Sequence, residues 1–174
     1  MEMNVNFKQI ENAGMYVNNL LNSGADVIRA EKSSCVIAHQ ATVAGPVDTY
    51  TASGLHEVAE YADVGDWVVT RADLEGKPVL NGEGKPNTWV IKNDTFKKKY
   101  DVDNMRDDGF TKPKGGVQSF VRISEDISIM VPWGKDGALV PQNLAAGAVL
   151  NITNMNDIYG IAKEEFAETY AVIK

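Results

Sequence analysis

A mainly β chain of the α+β class is predicted, with an N-terminal helix followed by two homologous small β-barrel units of the SH3-like type, each with a short helix before its last strand. Three observations predict it. Apolar residues recur at helical spacing only near the N-terminus. From about residue 25 onward the chain breaks into short runs rich in β-branched and aromatic residues, punctuated by Gly, Pro, Asn and Asp. Finally, the chain repeats itself. Gly65-Asp66-Trp67-Val68-Val69-Thr70 is echoed by Gly147-Ala148-Val149-Leu150-Asn151-Ile152, and Trp89, Ile91, Phe96, Tyr100 and Val102 align with Tyr159, Ile161, Phe166, Tyr170 and Val172. Apolar anchors shared at fixed spacing imply a shared fold.

Taken in order, Phe7, Ile10, Met15, Val17, Leu20 and Leu21 predict one amphipathic helix over residues 6–21, stopped by Asn22-Ser23-Gly24. Gly14 weakens it by about 1 kcal/mol relative to Ala, so it relies on packing against the rest of the protein. Strands are expected over 26–30, 35–42, 47–52, 57–62 and 66–71, with Asp63-Val64-Gly65-Asp66 turning the chain and Gly65 at positive φ. Residues 71–88 form an insertion that the second copy lacks, polar and rich in turn residues. Asn93-Asp94 caps a helical turn over 95–99, which sets Phe96 and Tyr100 on one inward face. Residues 104–116 are charged and carry Gly and Pro without apolar periodicity, so they read as the linker between a first unit, 25–103, and a second, 117–174. The second unit is expected to run through strands 117–123, 128–133, 138–140, 149–153 and 158–161, a helix 163–170 and a strand 171–173, with 167–169 facing water.

Composition narrows the function classes. With 174 residues and 44% hydrophobic content the chain has enough apolar surface for a real core. A net charge of −7 disfavours phosphate-backbone binding, which needs clustered Lys and Arg to displace counterions. The single Cys35 forms no internal disulfide, and no Cys/His set stands at zinc spacing, so neither metal nor cofactor is expected. With no secretory signal and no apolar run of about 18 residues, a cytoplasmic protein is expected, not a membrane one.

Across Val64 to Thr70 and Trp89 to Tyr100 the chain resembles small bacterial and phage-associated proteins built around a Pro-Gly-Asp-Tyr or Pro-Gly-Asp-Trp turn, here duplicated. In that family a strand follows the turn, and an ending with spaced Lys, Phe and Tyr follows the strand. The resemblance covers about forty residues and implies a small β-rich domain of phage or mobile-element origin, without a reaction. Val64 stands where the family has proline, residues 71–88 split the signature, and Ala148 replaces the acid in the second copy.

Candidate chemistry is sparse. His56, beside Glu57, Asp63 and Asp66, is the nearest approach to an acid/base pair, with His56 and Asp66 the weak catalytic candidates. A turn-facing histidine near carboxylates is more often a solvated edge. Lys97-Lys98-Lys99 reads as a solvated helix face, and Cys35 as a small buried hydrophobe. Trp133, in Pro132-Trp133-Gly134, is the tryptophan expected to be partly exposed and free to contact a partner. Together with the insertion residues Asp73, Glu75, Lys77, Asn81, Glu83 and Lys85 it forms the predicted binding set. The expected function is non-enzymatic binding of a protein partner or small ligand, with homo-oligomerisation open. Two alternatives stand beside it: a structural subunit of a virion or particle, and a small hydrolase or transferase with its site in the groove between the copies.

Overall fold

The computed structural model describes residues 6–50, 56–80 and 84–173, with 49, 50 and 56–58 described by backbone alone. The elements among them are, in order, β1 (Lys8–Ile10), α1 (Ala13–Asn22), β2 (Val27–Lys32), β3 (Cys35–Gln40), β4 (Gly45–Tyr50), β5 (His56–Ala62), β6 (Trp67–Ala72), β7 (Thr88–Ile91) and α2 (Asn93–Lys99). Then follow β8 (Phe110–Thr111), β9 (Val117–Arg122), β10 (Ile127–Val131), β11 (Val140–Leu144), β12 (Val149–Asn151), β13 (Tyr159–Ile161), α3 (Lys163–Thr169) and β14 (Tyr170–Val172). They make sheets in the order β13-β12-β9-β2-β14, β7-β6-β3-β8, β1-β10-β11 and β4-β5. The protein is mostly β. None of these sheets closes on itself, which departs from the expected closed barrels: the five-stranded sheet ends in β13 and β14, three residues each, too short to complete a ring of ladder bonds.

The predicted helix over 6–21 is two elements. Lys8, Gln9 and Ile10 pair in parallel with Ile127, Ser128 and Ile129, so their backbone groups are spent on a sheet. The Asn12 side chain then accepts from Met15 N–H at 3.0 Å and opens α1 as its N-cap. Val17 of α1 is fully buried, in a core with Ile127, Ile129, Val131, Leu144 and Leu150. Two further cores lie under α2 (Val36, Val69, Phe96, Tyr100) and α3 (Ala30, Phe120, Val149, Phe166). Among the described residues no helix is long and apolar enough to cross a membrane.

Two stretches share one local geometry. Gln40 faces Trp67, which faces Ile91; Arg122 faces Val149, which faces Ile161. Gly65 at φ +94° donates to Ala41 O at 2.9 Å, and Gly147 at φ +97° donates to Ile123 O at 2.9 Å. Each short helix starts after an extended residue, Lys92 (φ −61°, ψ 145°) or Ala162 (φ −58°, ψ 148°). Each stops at an extended tyrosine, Tyr100 or Tyr170, whose N–H returns to the carbonyl of Phe96 or Phe166. A hairpin interrupts both stretches at the same place, β4-β5 between β3 and β6 and β10-β11 between β9 and β12.

The first strands do not stay with their neighbours in sequence. β2, which precedes β3, pairs with β9 and β14; β8, which precedes β9, pairs with β3. The stretch 104–116 is therefore not a free linker, and it does not separate two self-contained sheets. Phe110 buries its ring against Cys35 and Ala72, and Tyr100 bridges to Pro113 as Tyr170 pairs with Lys32. A two-residue strand is too short to show periodicity, which hides it from the sequence. Gly109 makes the approach possible: Ala38 N–H donates to its carbonyl at 3.0 Å, and a Cβ at its φ of +87° would lie 2.3 Å from Ala38 O.

Candidate functional site: an aromatic cavity with a lysine at its floor

A cavity of about 330 Å³ is lined by residues of both α2 and α3. Its walls are amphipathic rings: Trp89 of β7, Tyr159 of β13, Tyr100 and Tyr170 at the ends of the two short helices, Tyr61 of β5 and Trp133 after β10. None of the five phenylalanines lines it. Phe96 and Phe166 instead stack beneath Tyr100 and Tyr170, at 4.9 and 5.3 Å, holding those rings in place. Trp and Tyr present an apolar face together with a polar edge, so the choice of rings suits a ligand that is flat on one side and polar at its rim.

Side chains of β5 and β11 hold the strands that carry two of the wall rings. The Glu60 carboxylate accepts from Val90 N–H at 3.1 Å, and the Gln142 side chain accepts from Gly160 N–H at 2.8 Å while donating to Gly160 O at 2.9 Å. Both strands that carry the wall rings are thus clamped from their free edge. Chemistry enters where the halves differ: Lys32 opposes Tyr170 where Pro113 opposes Tyr100, and α3 presents Glu165 on the first turn where α2 presents Thr95.

The Lys32 ammonium lies over three rings, 5.1 Å from the centroid of Trp89, 5.3 Å from Tyr100 and 5.8 Å from Tyr170. No carboxylate lies within ion-pairing distance of it among the described residues. Burial pulls its pKa down from 10.5 to about 8, with the Lys99 charge reinforcing the fall and Tyr159 and Glu165 opposing it. Burial pushes the Glu165 carboxyl the other way, above its ordinary range; the Asn87 amide hydrogen bond and the charges of Arg71 and Lys32 restrain that rise. Burial likewise raises the Tyr100 hydroxyl. Three buried polar atoms lining this cavity have no hydrogen-bond partner among the described residues: Tyr100 Oη, Glu165 Oε1 and Asn87 Oδ1. Each such atom costs about 1–3 kcal/mol relative to a paired one. Their convergence in one cavity is what a site awaiting a polar ligand presents.

The expected site residues are distributed unevenly around this cavity. Trp133 lines it, half-buried and tilted against Tyr159 at 5.8 Å, and Asn87 at the end of the insertion reaches its floor. The rest of the insertion's described residues do not. The Asp73 carboxylate closes its own turn by accepting from Glu75 and Lys77 N–H, both at 2.9 Å, and Glu75, Lys77 and Lys85 are exposed outside the cavity lining. Asn81 and Glu83 lie outside the described residues. Asp66 is buried in the turn, accepting from Asp63 N–H at 3.0 Å and Lys92 Nζ at 2.8 Å. Burial alone would lower the Lys92 ammonium, but the hydrogen bonds it donates to Asp66 and Asp63, with their charges, outweigh it and leave the pKa raised. His56 begins β5, and its side chain lies outside the described residues.

The residues the sequence did not single out are Lys32, Glu165, Asn87 and the ring faces of Tyr100 and Tyr170. No motif joins them, since they come from β2, α3, the insertion and two helix ends. The one available signal was the difference between Thr95 and Glu165 at the same position of α2 and α3. Thr169, expected to face water, is also buried, its hydroxyl donating to Glu165 O at 2.5 Å.

Compared with family models, with curated proteins and with solved structures, the chain finds no match. The functional reading therefore rests on the cavity itself.

Proposed function

We propose that this chain is a binding protein whose cavity takes one compact ligand, with a flat ring to stack among the tryptophans and tyrosines and a polar rim to meet Lys32, Glu165, Asn87 and Tyr100. The observation that carries the reading is the gathering of three buried polar atoms, unpartnered among the described residues, with one lysine in a cavity of about 330 Å³. Sites for small molecules begin at about 300 Å³ and combine mostly apolar walls with a few placed polar groups. The phage or mobile-element origin implied by the Gly-Asp-Trp turn remains part of this proposal.

We further read the architecture as two copies of one β-unit, related to the small barrels of the SH3-like type, that have exchanged their first strands. Matching register, matching helix termini and the crossed pairings of β2 and β8 support it. Exchange places the cavity between the copies and lets it mix residues from both. A symmetric scaffold with an asymmetric floor selects one ligand orientation.

The test is differential scanning fluorimetry with a panel of heteroaromatic carboxamides, nucleobases and monosaccharides, on the wild type and on Trp133→Ala. A ligand at one hundred times its Kd adds about 2.7 kcal/mol of stability. The reading expects at least one chemical class to raise the melting temperature of the wild type and to lose that effect in Trp133→Ala. Absence of any shift across the panel at millimolar concentration overturns it.

A further inference from the structure

We infer that the cavity captures a carbonyl compound covalently, as an imine on Lys32 Nζ, with Glu165 moving the protons. The inference rests on the reading of the cavity as the binding site and adds a ligand class, a small aldehyde or ketone carried on a flat ring. Geometry supplies the grounds. Lys32 is the lysine at the cavity floor, held over Trp89, Tyr100 and Tyr170 without a carboxylate in salt-bridge contact. Lys92 and Lys99, which also line the cavity, are hydrogen-bonded, to Asp66 and Asp63 and to the Tyr159 hydroxyl respectively. Glu165 keeps one carboxylate oxygen without a partner while Asn87 holds the side chain by a hydrogen bond. A lysine among rings and beside a second cation is also partly deprotonated near neutrality, as an amine nucleophile requires.

The step balances without a redox partner. The neutral Lys32 amine attacks the carbonyl carbon, the C–N bond forms as the C=O π pair moves to oxygen, and that oxygen takes the proton of the Glu165 carboxylic acid. The carboxylate then takes a proton from the cationic nitrogen, leaving a carbinolamine and Glu165 again protonated. The nitrogen lone pair expels the hydroxyl, which leaves as water with the Glu165 proton. An iminium on Lys32 then faces the Glu165 carboxylate. The groups facing Lys32 are Glu165 and Tyr170 from α3 and its end, Tyr100 and Lys99 from α2 and its end, and Tyr159 from β13; they set its titration together.

The experiment is reductive trapping of the full chain with salicylaldehyde and cyanoborohydride between pH 6.5 and 9, followed by intact mass and peptide mapping. Lys32 is expected to be modified at least ten times faster than any other lysine. Lys32→Arg, which keeps the positive charge, abolishes that adduct, and Glu165→Gln slows it at least tenfold. Adducts spread over the exposed lysines in wild type and Lys32→Arg alike overturn the proposal. A panel ligand that still shifts the melting temperature in that case leaves the binding reading standing, whereas no shift and no preference at Lys32 sink both.

Discussion

Replacing Lys32 by Met tests the energetics of the cavity floor directly. In the fold its pKa falls from 10.5 to about 8 because the ammonium is moved away from water. At about 1.4 kcal/mol for each factor of ten, that burial costs the fold roughly 3 kcal/mol at neutral pH. Ring contacts at 5.1 to 5.8 Å return part of it, about 0.5–1 kcal/mol each. Methionine fills a similar volume without a charge, so Lys32→Met is expected to stabilise the protein at pH 7 by about 1 kcal/mol. The sign of the pH dependence follows from linkage. Between about pH 8 and 10.5 the unfolded wild type binds more protons at this site than the folded one, so its stability rises with pH, while the variant lacks the rise. The advantage of the variant is full below pH 8 and disappears as pH climbs towards 10.5. Urea unfolding followed by tryptophan fluorescence at pH 7, 8, 9 and 9.5 measures both quantities. A variant less stable than wild type by more than about 1 kcal/mol at pH 7, or a difference that does not move between pH 7 and 9.5, refutes the argument that this ammonium is held against a desolvation cost.

Other substitutions probe the parts around it. Tyr100→Phe removes a buried hydroxyl that has no partner, so calorimetry is expected to show stability unchanged or raised by up to about 1 kcal/mol; titration of any panel ligand should show weaker binding by about tenfold, and a clear loss of stability would mean that the hydroxyl is already paired. Asp66→Asn keeps an acceptor for Asp63 N–H and loses the charge facing Lys92, for an expected cost of about 1 kcal/mol in denaturant unfolding. It should leave salicylaldehyde trapping at Lys32 intact. Gly109→Ala drives a Cβ to 2.3 Å from the Ala38 carbonyl at a φ of +87°, a backbone clash expected to cost about 2–4 kcal/mol. Hydrogen exchange should then show Ala38 N–H losing protection ahead of the β6-β7 pair.

Legibility differed by length scale. The anchors Phe96, Tyr100, Phe166 and Tyr170 were readable because i, i+4 spacing sets two aromatic residues on one face of each short helix, and the turn at Gly65 was readable because positive φ selects glycine. β1 was lost inside a helical pattern because three residues, Lys8 to Ile10, fit either period. β8 was lost inside an apparent linker for the same reason. At Asp73 the carboxylate closes its own turn, and Asx chemistry within a turn looks, in a sequence, the same as polar chemistry waiting for a partner. The Asp66 carboxylate likewise serves the turn that carries it and the lysine that leans over it.

What the amino-acid sequence determined by itself was local: mostly β structure, two short helices each ending in a tyrosine, and a Gly turn before each central strand. Those features depend on residues within a few positions of one another, where periodicity, capping and φ preference act. The tertiary structure decided the pairing of β2 with β9 and of β8 with β3, and with it the site. Pairing with β9 and β14 carries Lys32 away from its neighbour β3 and sets it beside Glu165 and Tyr170, more than a hundred residues along the chain, under the ring of Trp89. Register across a sheet is chosen by the summed burial of whole faces, so no single residue of β2 announces which sheet it will join.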